Sequence, residues 1–152
     1  LTLARQGDTI SETESISLTD LAGKCWASVD TDDASIEIVD DVTFQGDSGR
    51  LRHVFENLFR NAVEHGGSNV TVRVGCHDAR GIYVEDDGVG IPVEKREEVF
   101  EPGHSSAHGG TGFGLTIVKR IVEAHGWQLS VTDGIEGGTR FEFEMPEQSG
   151  LV

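Results

Sequence analysis

The stretch that decides the fold is ENLFRNA at residues 56–62, in which Asn57 and Asn61 stand four residues apart. On an α-helix that spacing places both amide side chains on the same side. Apolar residues recur around them at helical intervals and Asp47 is a good N-cap, so the sequence predicts a long helix from Asp47 to near Gly66. Asn57 and Asn61 would lie beside its apolar face, where polar side chains can line a pocket. A neutral amide oxygen can ligate Mg²⁺ without adding negative charge near a triphosphate, whereas asparagines that merely face water are the alternative.

The second motif is VEDDGVGI at residues 84–91, which follows a predicted strand. An aspartate at a strand end can accept a hydrogen bond from the exocyclic amine of adenine, and the glycines that follow let the backbone approach a flat ring closely. Asp86 is the candidate for this role, with Asp87 as its competitor. A simple acidic turn is the alternative, because Asp-Gly is a common turn pair.

The third motif is GTGFGL at residues 110–115, where a glycine-rich turn opens a predicted helix. Such a turn points backbone N–H groups at an anion, and the helix dipole adds to the attraction. The glycine spacing and the missing Gly-Lys-Ser/Thr exclude a dinucleotide-binding turn and a P-loop, and a flexible hinge is the alternative. Together the three motifs predict a nucleotide site with a metal, phosphates and a base.

Further periodicity predicts the remaining elements. Strands are predicted at residues 35–39, 42–45, 70–76, 82–85, 127–132 and 139–145, and helices at 18–29 and 113–125. Residues 8–17 are polar and are interpreted as a linker. Because helices and strands are intermixed without a steady alternation, we expect an α+β fold with one mixed sheet and about three helices on one of its faces.

Composition narrows the class of protein. The chain has 152 residues and a formal net charge of −15, so it is one domain in size and its surface repels nucleic acid and anionic membranes. The charge also predicts adaptation to high salt, where screening removes self-repulsion. Cys25 and Cys76 form no Cys-x-x-Cys pair, and we expect two buried, reduced thiols in a cytoplasmic protein. Met145 is the only methionine, so a piece of a longer protein is expected.

The motifs resemble, in their order, those of the GHKL superfamily, and specifically the catalytic ATP-binding domain of sensor histidine kinases of an acidic, haloarchaeal type. The similarity runs from about residue 18 to residue 146. Residues 57–62 are similar to the N box, 84–91 to the first glycine box, 99–102 (VFEP) to the F box, 110–115 to the second glycine box and 138–141 to the closing run. The resemblance implies a two-layer α/β sandwich of the Bergerat type.

The resemblance also implies roles for residues. Asn61 would be the Mg²⁺ ligand, Asn57 would lie near the phosphates, Asp86 would accept the adenine amine, and Thr139 would support the adenine pocket. Residues 92–110 would form a lid over ATP. The implied nucleotide-binding residues are Asn57, Asn61, His65, Asp86, Gly88, Gly90, Ile91, Gly110, Thr111, Gly112, Phe113, Gly114, Leu115 and Thr139. No catalytic residue is assigned in this chain.

The implied function is that of a protein-histidine kinase domain that binds Mg-ATP and transfers the γ-phosphoryl group to a histidine outside this chain. Residues 1–16 would be the tail of an upstream histidine-containing helical dimerisation domain plus a linker, 17–147 the ATP-binding domain and 148–152 a tail. The implied partners are that dimerisation domain and a response regulator in a homodimeric protein, with no nucleic acid. A non-catalytic ATP-sensing module and a serine kinase of the same fold are the alternatives.

Two departures from the family pattern stand out. Glu64 occupies a position where many members carry a lysine that holds phosphate, and Gly103 follows the F box where a second aromatic is usual. Glu56, Arg60 and Glu64 are spaced by four, which predicts ion pairs along the helix. Branches of the superfamily that hydrolyse ATP place a glutamate base where Asn57 stands. Glu56 is one position away, about 100° around the helix, so direct hydrolysis is not expected.

Overall fold

A computed structural model describes residues 13–31, 33–66, 69–77, 81–91, 94, 112–135 and 137–146 of the chain. Three helices and seven strands lie within these ranges. In chain order they are β1 (Glu14–Ser17), α1 (Leu18–Ser28), β2 (Ser35–Ile38), β3 (Thr43–Gly46), α2 (Ser48–Gly66), β4 (Thr71–His77), β5 (Gly81–Asp86), α3 (Gly112–Ala124), β6 (Gln128–Asp133) and β7 (Thr139–Glu144).

The first two helices begin at side-chain caps, of which the one at Asp47 is predicted above. The Ser17 hydroxyl accepts a hydrogen bond from the backbone N–H of Asp20 at 3.2 Å, and the Asp47 carboxylate accepts one from the N–H of Arg50 at 3.2 Å. Caps of this kind stabilise a helix by about 1 kcal/mol. The predicted long helix that carries both asparagines is confirmed as α2.

The main sheet is mixed, with the strand order β2-β4-β5-β7-β6. Strands β2 and β4 are parallel, and every other neighbouring pair is antiparallel. A parallel pair needs a long crossover connection, which β3 and α2 supply. Strands β1 and β3 form a separate two-stranded antiparallel sheet.

All three helices cover the same face of the main sheet. Alternate residues of β4, β5 and β7 join the buried core formed by the apolar faces of the helices, and Phe55 of α2 meets Phe143 of β7 edge to face with ring centres 6.1 Å apart. These sheet residues are Val72, Val74, Ile82, Val84, Phe141 and Phe143. The expected α+β sandwich, with one helical layer on a mixed sheet, is therefore confirmed.

One element differs from its prediction. Residues 14–17, interpreted as the end of a linker, form β1 and pair with β3 along their whole length. Only Ile16 of this strand is buried, and the other three residues are polar, so the stretch lacks the alternating apolar residues by which a strand is recognised.

The prediction of two buried, reduced cysteines holds except that Cys76 is only partly buried. Both are free thiols, and Cys25 is buried. Burial raises the pKa of Cys25 to about 12, which makes it an unreactive part of the core. Among the described helices, none combines the length and the apolar character needed to cross a membrane.

Candidate functional site

Asp86, the last residue of β5, is held by one of its two carboxylate oxygens. Its Oδ1 accepts hydrogen bonds from the backbone N–H of Gly88 at 2.8 Å and from that of Thr139 at 3.4 Å. Within the described part of the chain, no hydrogen bond ends on Oδ2. The strand end therefore presents a fixed carboxylate with one oxygen left to accept from a ligand.

The electrostatics of Asp86 favour such a ligand. Burial raises the pKa of Asp86, and the hydrogen bonds from Gly88 and Thr139 offset only part of this effect, while the neighbouring carboxylates of Asp87 and Glu85 add to it. The charged form is thus held at a cost in free energy. A donor that reaches the second oxygen would stabilise that charge.

Asp87, the alternative candidate for base reading, has a different task. Its Oδ1 accepts a hydrogen bond from the backbone N–H of Thr71 at 2.8 Å, and its own N–H donates to the Thr71 carbonyl at 3.3 Å. Asp87 therefore continues the pairing of β5 with β4. A shallow cavity of about 90 Å³ lies beside it, lined by Thr71, Arg73, Glu85, Asp86 and Asp87. Asp86 is partly buried among the surrounding glycines, whereas Asp87 is exposed and its bonded oxygen holds β4, so Asp86 is the better candidate of the two.

Glycines bring three chain segments together around Asp86. A Cβ on Gly88 would collide with the backbone of Gly66 at the end of α2, and a Cβ on Gly138 would collide with the backbone and the carboxylate of Asp86. Only glycine allows these approaches, because the opposing atoms belong to backbone or to a fixed carboxylate. Gly66 and Gly138 were not among the predicted site residues. The sequence signal for Gly138 is its place beside Thr139 in the closing run.

The other predicted residues of this region have definite positions. Thr139 is 4% exposed at the start of β7, next to β5. Gly90 has a φ of +80° and lies against the carbonyl groups of residues 137 and 138. Ile91 is partly buried and packs against the core. The end of α2, the loop after β5 and the start of β7 thus surround the Asp86 carboxylate.

The asparagines extend this site along α2. Asn61 and Asn57 are both partly buried, and they precede Gly66 on the same helix. At about 1.5 Å of rise per residue, Asn61 lies roughly 7 Å and Asn57 roughly 13 Å along the helix axis from the contact between Gly66 and Gly88. Moving away from Asp86, the helix presents first one amide and then the other.

Asn61 carries an unsatisfied polar atom. Its Nδ2 is buried and has no hydrogen-bond partner among the described residues. Such an atom costs about 1–3 kcal/mol. The nitrogen and oxygen of an amide are told apart by their partners, so this end of Asn61 can equally be the carbonyl oxygen. Asn61 therefore fits the role of a ligand to an external group such as Mg²⁺ or phosphate.

Asn57 and Arg60 form a pair that the sequence did not predict. The Arg60 Nη1 donates to the Asn57 Oδ1 at 3.0 Å. The expected ion pairs of Arg60 with Glu56 and Glu64 are absent from the described residues, and that prediction is wrong. The guanidinium instead brings positive charge to Asn57, while Glu64 is exposed on the turn after Arg60.

Glu56 is committed to the contact between α1 and α2. Its carboxylate accepts from the Ser28 hydroxyl at 2.7 Å and from the Arg52 Nε at 2.9 Å. Burial opposes its charge, but the hydrogen bonds from Ser28 and Arg52 outweigh burial and lower the pKa of Glu56. A carboxylate held in this way is a poor general base, in line with the expectation that the chain does not hydrolyse ATP directly.

Part of the predicted site lies outside the described residues. This applies to Gly110, to Thr111, to the predicted lid at residues 92–110 apart from residue 94, and to the side chain of His65. Gly112, Phe113 and Gly114 open α3, which confirms that the glycine run begins a helix, but nothing is described of their side chains. Leu115, the next residue, is buried in the core.

Comparison with known proteins places these features in a family. The model of the family described as "Histidine kinase-, DNA gyrase B-, and HSP90-like ATPase" matches residues 46–149. Among curated relatives, the sensory/regulatory protein RpfC of Xanthomonas campestris is 37% identical over 75% of this chain and 18% of its own length. The circadian input-output histidine kinase CikA of Synechococcus elongatus is 34% identical over 70% of this chain and 15% of its own length. The chain thus spans less than a fifth of either relative.

Solved structures give the same result. The mycobacterial sensor histidine kinase MprB is 28% identical, with a TM-score of 0.75 over 90% of this chain and 98% of that one. The catalytic domain of the histidine kinase ThkA, in a nucleotide-free form, is 26% identical, with a TM-score of 0.73 over 90% of this chain and 96% of that one. Both resemblances cover nearly the whole of the solved chains.

Proposed function

The chain belongs to the histidine kinase-, DNA gyrase B- and HSP90-like ATPase family, and from that premise we propose that it is the ATP-binding catalytic domain of a sensor histidine kinase. It binds Mg-ATP and delivers the γ-phosphoryl group to a histidine on a separate helical dimerisation domain. A response regulator then receives the phosphoryl group, and the whole protein acts as a homodimer with this domain in the cytoplasm. The names of its relatives as histidine kinases support the proposal.

The observation that carries the proposal is the Asp86 carboxylate, in which only one of the two oxygens accepts hydrogen bonds from the described residues. Its Oδ1 is fixed by two backbone N–H groups, and its Oδ2 can accept from a ligand. Adenine presents an exocyclic amine, a donor, whereas guanine presents a carbonyl oxygen at the equivalent position. An acceptor at this place therefore selects adenine and rejects guanine.

Residues of α2 serve the phosphate end of the nucleotide. Asn61, whose amide has an unsatisfied end, would hold Mg²⁺, and its neutrality avoids repulsion of the phosphates. The amide nitrogen of Asn57, one turn earlier, and the guanidinium of Arg60 that bonds to Asn57 offer donors to the phosphates. When bound there, Mg²⁺ would supply positive charge to the phosphate oxygens.

Catalysis by this domain is positioning and charge neutralisation. The one carboxylate adjacent to Asn57, that of Glu56, is already occupied by Ser28 and Arg52. The nucleophile is the imidazole nitrogen of the acceptor histidine. It forms a bond to the γ-phosphorus as the bond to the ADP oxygen breaks.

Labelled ATP tests the proposal. This chain is incubated with Mg²⁺ and γ-labelled ATP, alone and with the separately made helical domain of the same protein. We expect label on the helical domain only, in an acid-labile form typical of phosphohistidine. Strong label on this chain alone, or acid-stable label on a serine, would contradict a histidine kinase, and the serine result would identify a serine kinase of the same fold.

An ATP-sensing module without transfer is the second candidate. It is favoured by Glu64, an exposed carboxylate one turn beyond Asn61, where phosphate repulsion would weaken a catalytic pose. Tight ATP binding with no label on the helical domain would support this sensor. If Glu64 is what prevents transfer, Glu64→Lys should restore it.

A further inference from the structure

The sheet face opposite the helices carries a row of alternating charges across four strands. Arg73 of β4 binds Glu37 of β2 at 3.1 Å and approaches Glu85 of β5 at 3.9 Å. Arg140 of β7 binds the other oxygen of Glu85 at 3.1 Å and binds Glu142 at 2.6 Å. We call these five residues the charge ladder.

The ion pair between Glu85 and Arg140 is the buried part of the charge ladder. The Glu85 side chain is 3% exposed and that of Arg140 is 15% exposed, whereas Glu37 at the outer strand is 59% exposed. The Arg140 guanidinium also stacks on the Tyr83 ring, 3.9 Å from its centre. A buried ion pair adds little to stability, because the cost of desolvating both charges offsets their attraction. Such a pair can instead fix one arrangement of the strands.

The register of β5 and β7 places this ion pair next to the candidate site. Glu85 lies directly opposite Arg140 in the antiparallel pair. The next residue on each strand is Asp86 and Thr139, and the N–H of Thr139 donates to the Asp86 Oδ1. Successive residues of a strand point to opposite faces, so the ion pair on the open face is one residue away from the contact that orients Asp86 on the helical face.

The Asp86 contact depends on this alignment. The bond from Thr139 is long, at 3.4 Å, so it is weak by itself and does not fix the strand ends. A slip of one residue between β5 and β7 would turn Asp86 to the open face. Glu85 joins both Arg73 and Arg140, and thereby ties β4 and β7 to β5 at the residue before Asp86.

We propose that Glu85 and Arg140 are positioning residues for base recognition, which hold the end of β5 against the start of β7 so that the free oxygen of Asp86 meets the adenine amine. The inference rests on the proposed function. Neither residue touches the nucleotide. Their effect is on the selectivity for the base, since the phosphates are bound from α2.

The test compares two triphosphates that differ only at the base. Affinities of this chain for Mg-ATP and for the triphosphate of purine riboside, which lacks the 6-amino group, give a selectivity ratio. Inorganic tripolyphosphate reports the phosphate end alone. The variants are Glu85→Gln and the double variant Glu85→Gln/Arg140→Gln. The double variant replaces both charges of the buried pair by neutral amides, and it serves if the single variant folds poorly. Glu37→Gln, in the exposed end of the same ladder, is the control.

The expected result is a wild-type ratio of roughly tenfold or more, as one hydrogen bond to a charged group provides. Both Glu85 variants should lower this ratio at least about fivefold and change tripolyphosphate binding less than about twofold, and Glu37→Gln should keep the wild-type ratio. If wild type prefers Mg-ATP and the Glu85 variants keep the same affinity ratio, the positioning role of Glu85 and Arg140 would be overturned, while base reading by Asp86 would stand. A wild type without selectivity would overturn base reading by Asp86, and the inference with it.

Discussion

The His125 ring accepts a hydrogen bond at its Nε2 from the backbone N–H of Asp47, 78 residues away in the chain, at 3.0 Å. Its Nδ1 lies 2.9 Å from the Ile121 carbonyl and is therefore the protonated nitrogen, so the imidazole is neutral. Asp47 is the N-cap of α2, and His125 follows the last residue of α3. One uncharged ring thus joins the start of the helix that carries the asparagines to the end of the helix that the glycine run opens.

This contact predicts a loss of stability in acid. Burial lowers the pKa of His125, so between the folded and unfolded pKa values the unfolded chain binds the extra proton. The free energy of unfolding should therefore fall as pH drops below about 6.5. Above that value the contribution of neutral His125 to stability should be complete. His125→Phe keeps a ring beside Trp127 but lacks the acceptor. It should cost about 1–3 kcal/mol at neutral pH and flatten this pH dependence.

Urea unfolding at several pH values measures both effects. The control is His53→Gln, because His53 is exposed on α2. That variant should retain the wild-type slope. An equal slope in wild type and His125→Phe would show that another group is responsible.

Asp86→Asn should separate binding from stability. The amide oxygen can still accept from Gly88 and Thr139, but the charge that receives the adenine amine is lost. Because burial raises the pKa of Asp86, ionised Asp86 destabilises the fold at neutral pH. The variant without ligand should therefore melt at the same temperature or higher, while ATP affinity falls. A drop of several degrees in Tm without ligand would contradict this reading of the site.

Gly88→Ala should damage the contact between the first glycine motif and α2. The added Cβ meets the backbone of Gly66, which cannot rotate away as a side chain would. We expect a loss of roughly 1–3 kcal/mol in stability together with weaker ATP binding.

Gly23→Ala is the matched control for Gly88→Ala. A Cβ at this exposed position of α1 would meet nothing within 4 Å. Since alanine is the better helix former, this variant should gain about 0.5–1 kcal/mol. Equal losses in the two variants would refute the steric argument for Gly88.

The acidity of the chain predicts stabilisation by salt. With a formal net charge of −15, mutual repulsion opposes folding at low ionic strength. Raising KCl from about 0.1 M to about 2 M should increase the free energy of unfolding, since the Debye length then shrinks to a few ångströms. Unfolding with urea, a neutral denaturant, at each salt concentration measures this. Equal stability throughout would remove the expectation of a halophilic protein.

The fold could be predicted from the sequence where local signals agree. Helix α2 has a cap at Asp47 and a regular apolar stripe, so its bounds were recognisable. Strand β1 was missed because a short polar edge strand has only one buried residue, Ile16. Its identity is decided by pairing with β3, which no local pattern encodes.

The candidate site likewise has features that local sequence predicts and features that depend on contacts between distant residues. The position of Asp86 at a strand end beside two glycines could be predicted because the strand, the carboxylate and the glycines are contiguous in sequence. The ion pair of Glu85 with Arg140 could not, because the two residues are 55 positions apart and meet only through the register of β5 and β7. Likewise, helical spacing suggested that Glu56 would pair with Arg60, but packing of α1 on α2 brought Ser28 within reach of the carboxylate instead.

The central claim is that the amides of α2 and the carboxylate of Asp86 serve one nucleotide, and ATP titration with and without Mg²⁺ tests it most directly. In Asn61→Ala we expect the gain in affinity that Mg²⁺ gives wild type to disappear, with adenosine binding unchanged. In Asp86→Asn we expect ATP and adenosine affinity to fall together, by roughly 10- to 100-fold. An Asn61→Ala protein that keeps the full Mg²⁺ effect, or an Asp86→Asn protein that binds ATP as wild type does, would contradict the claim.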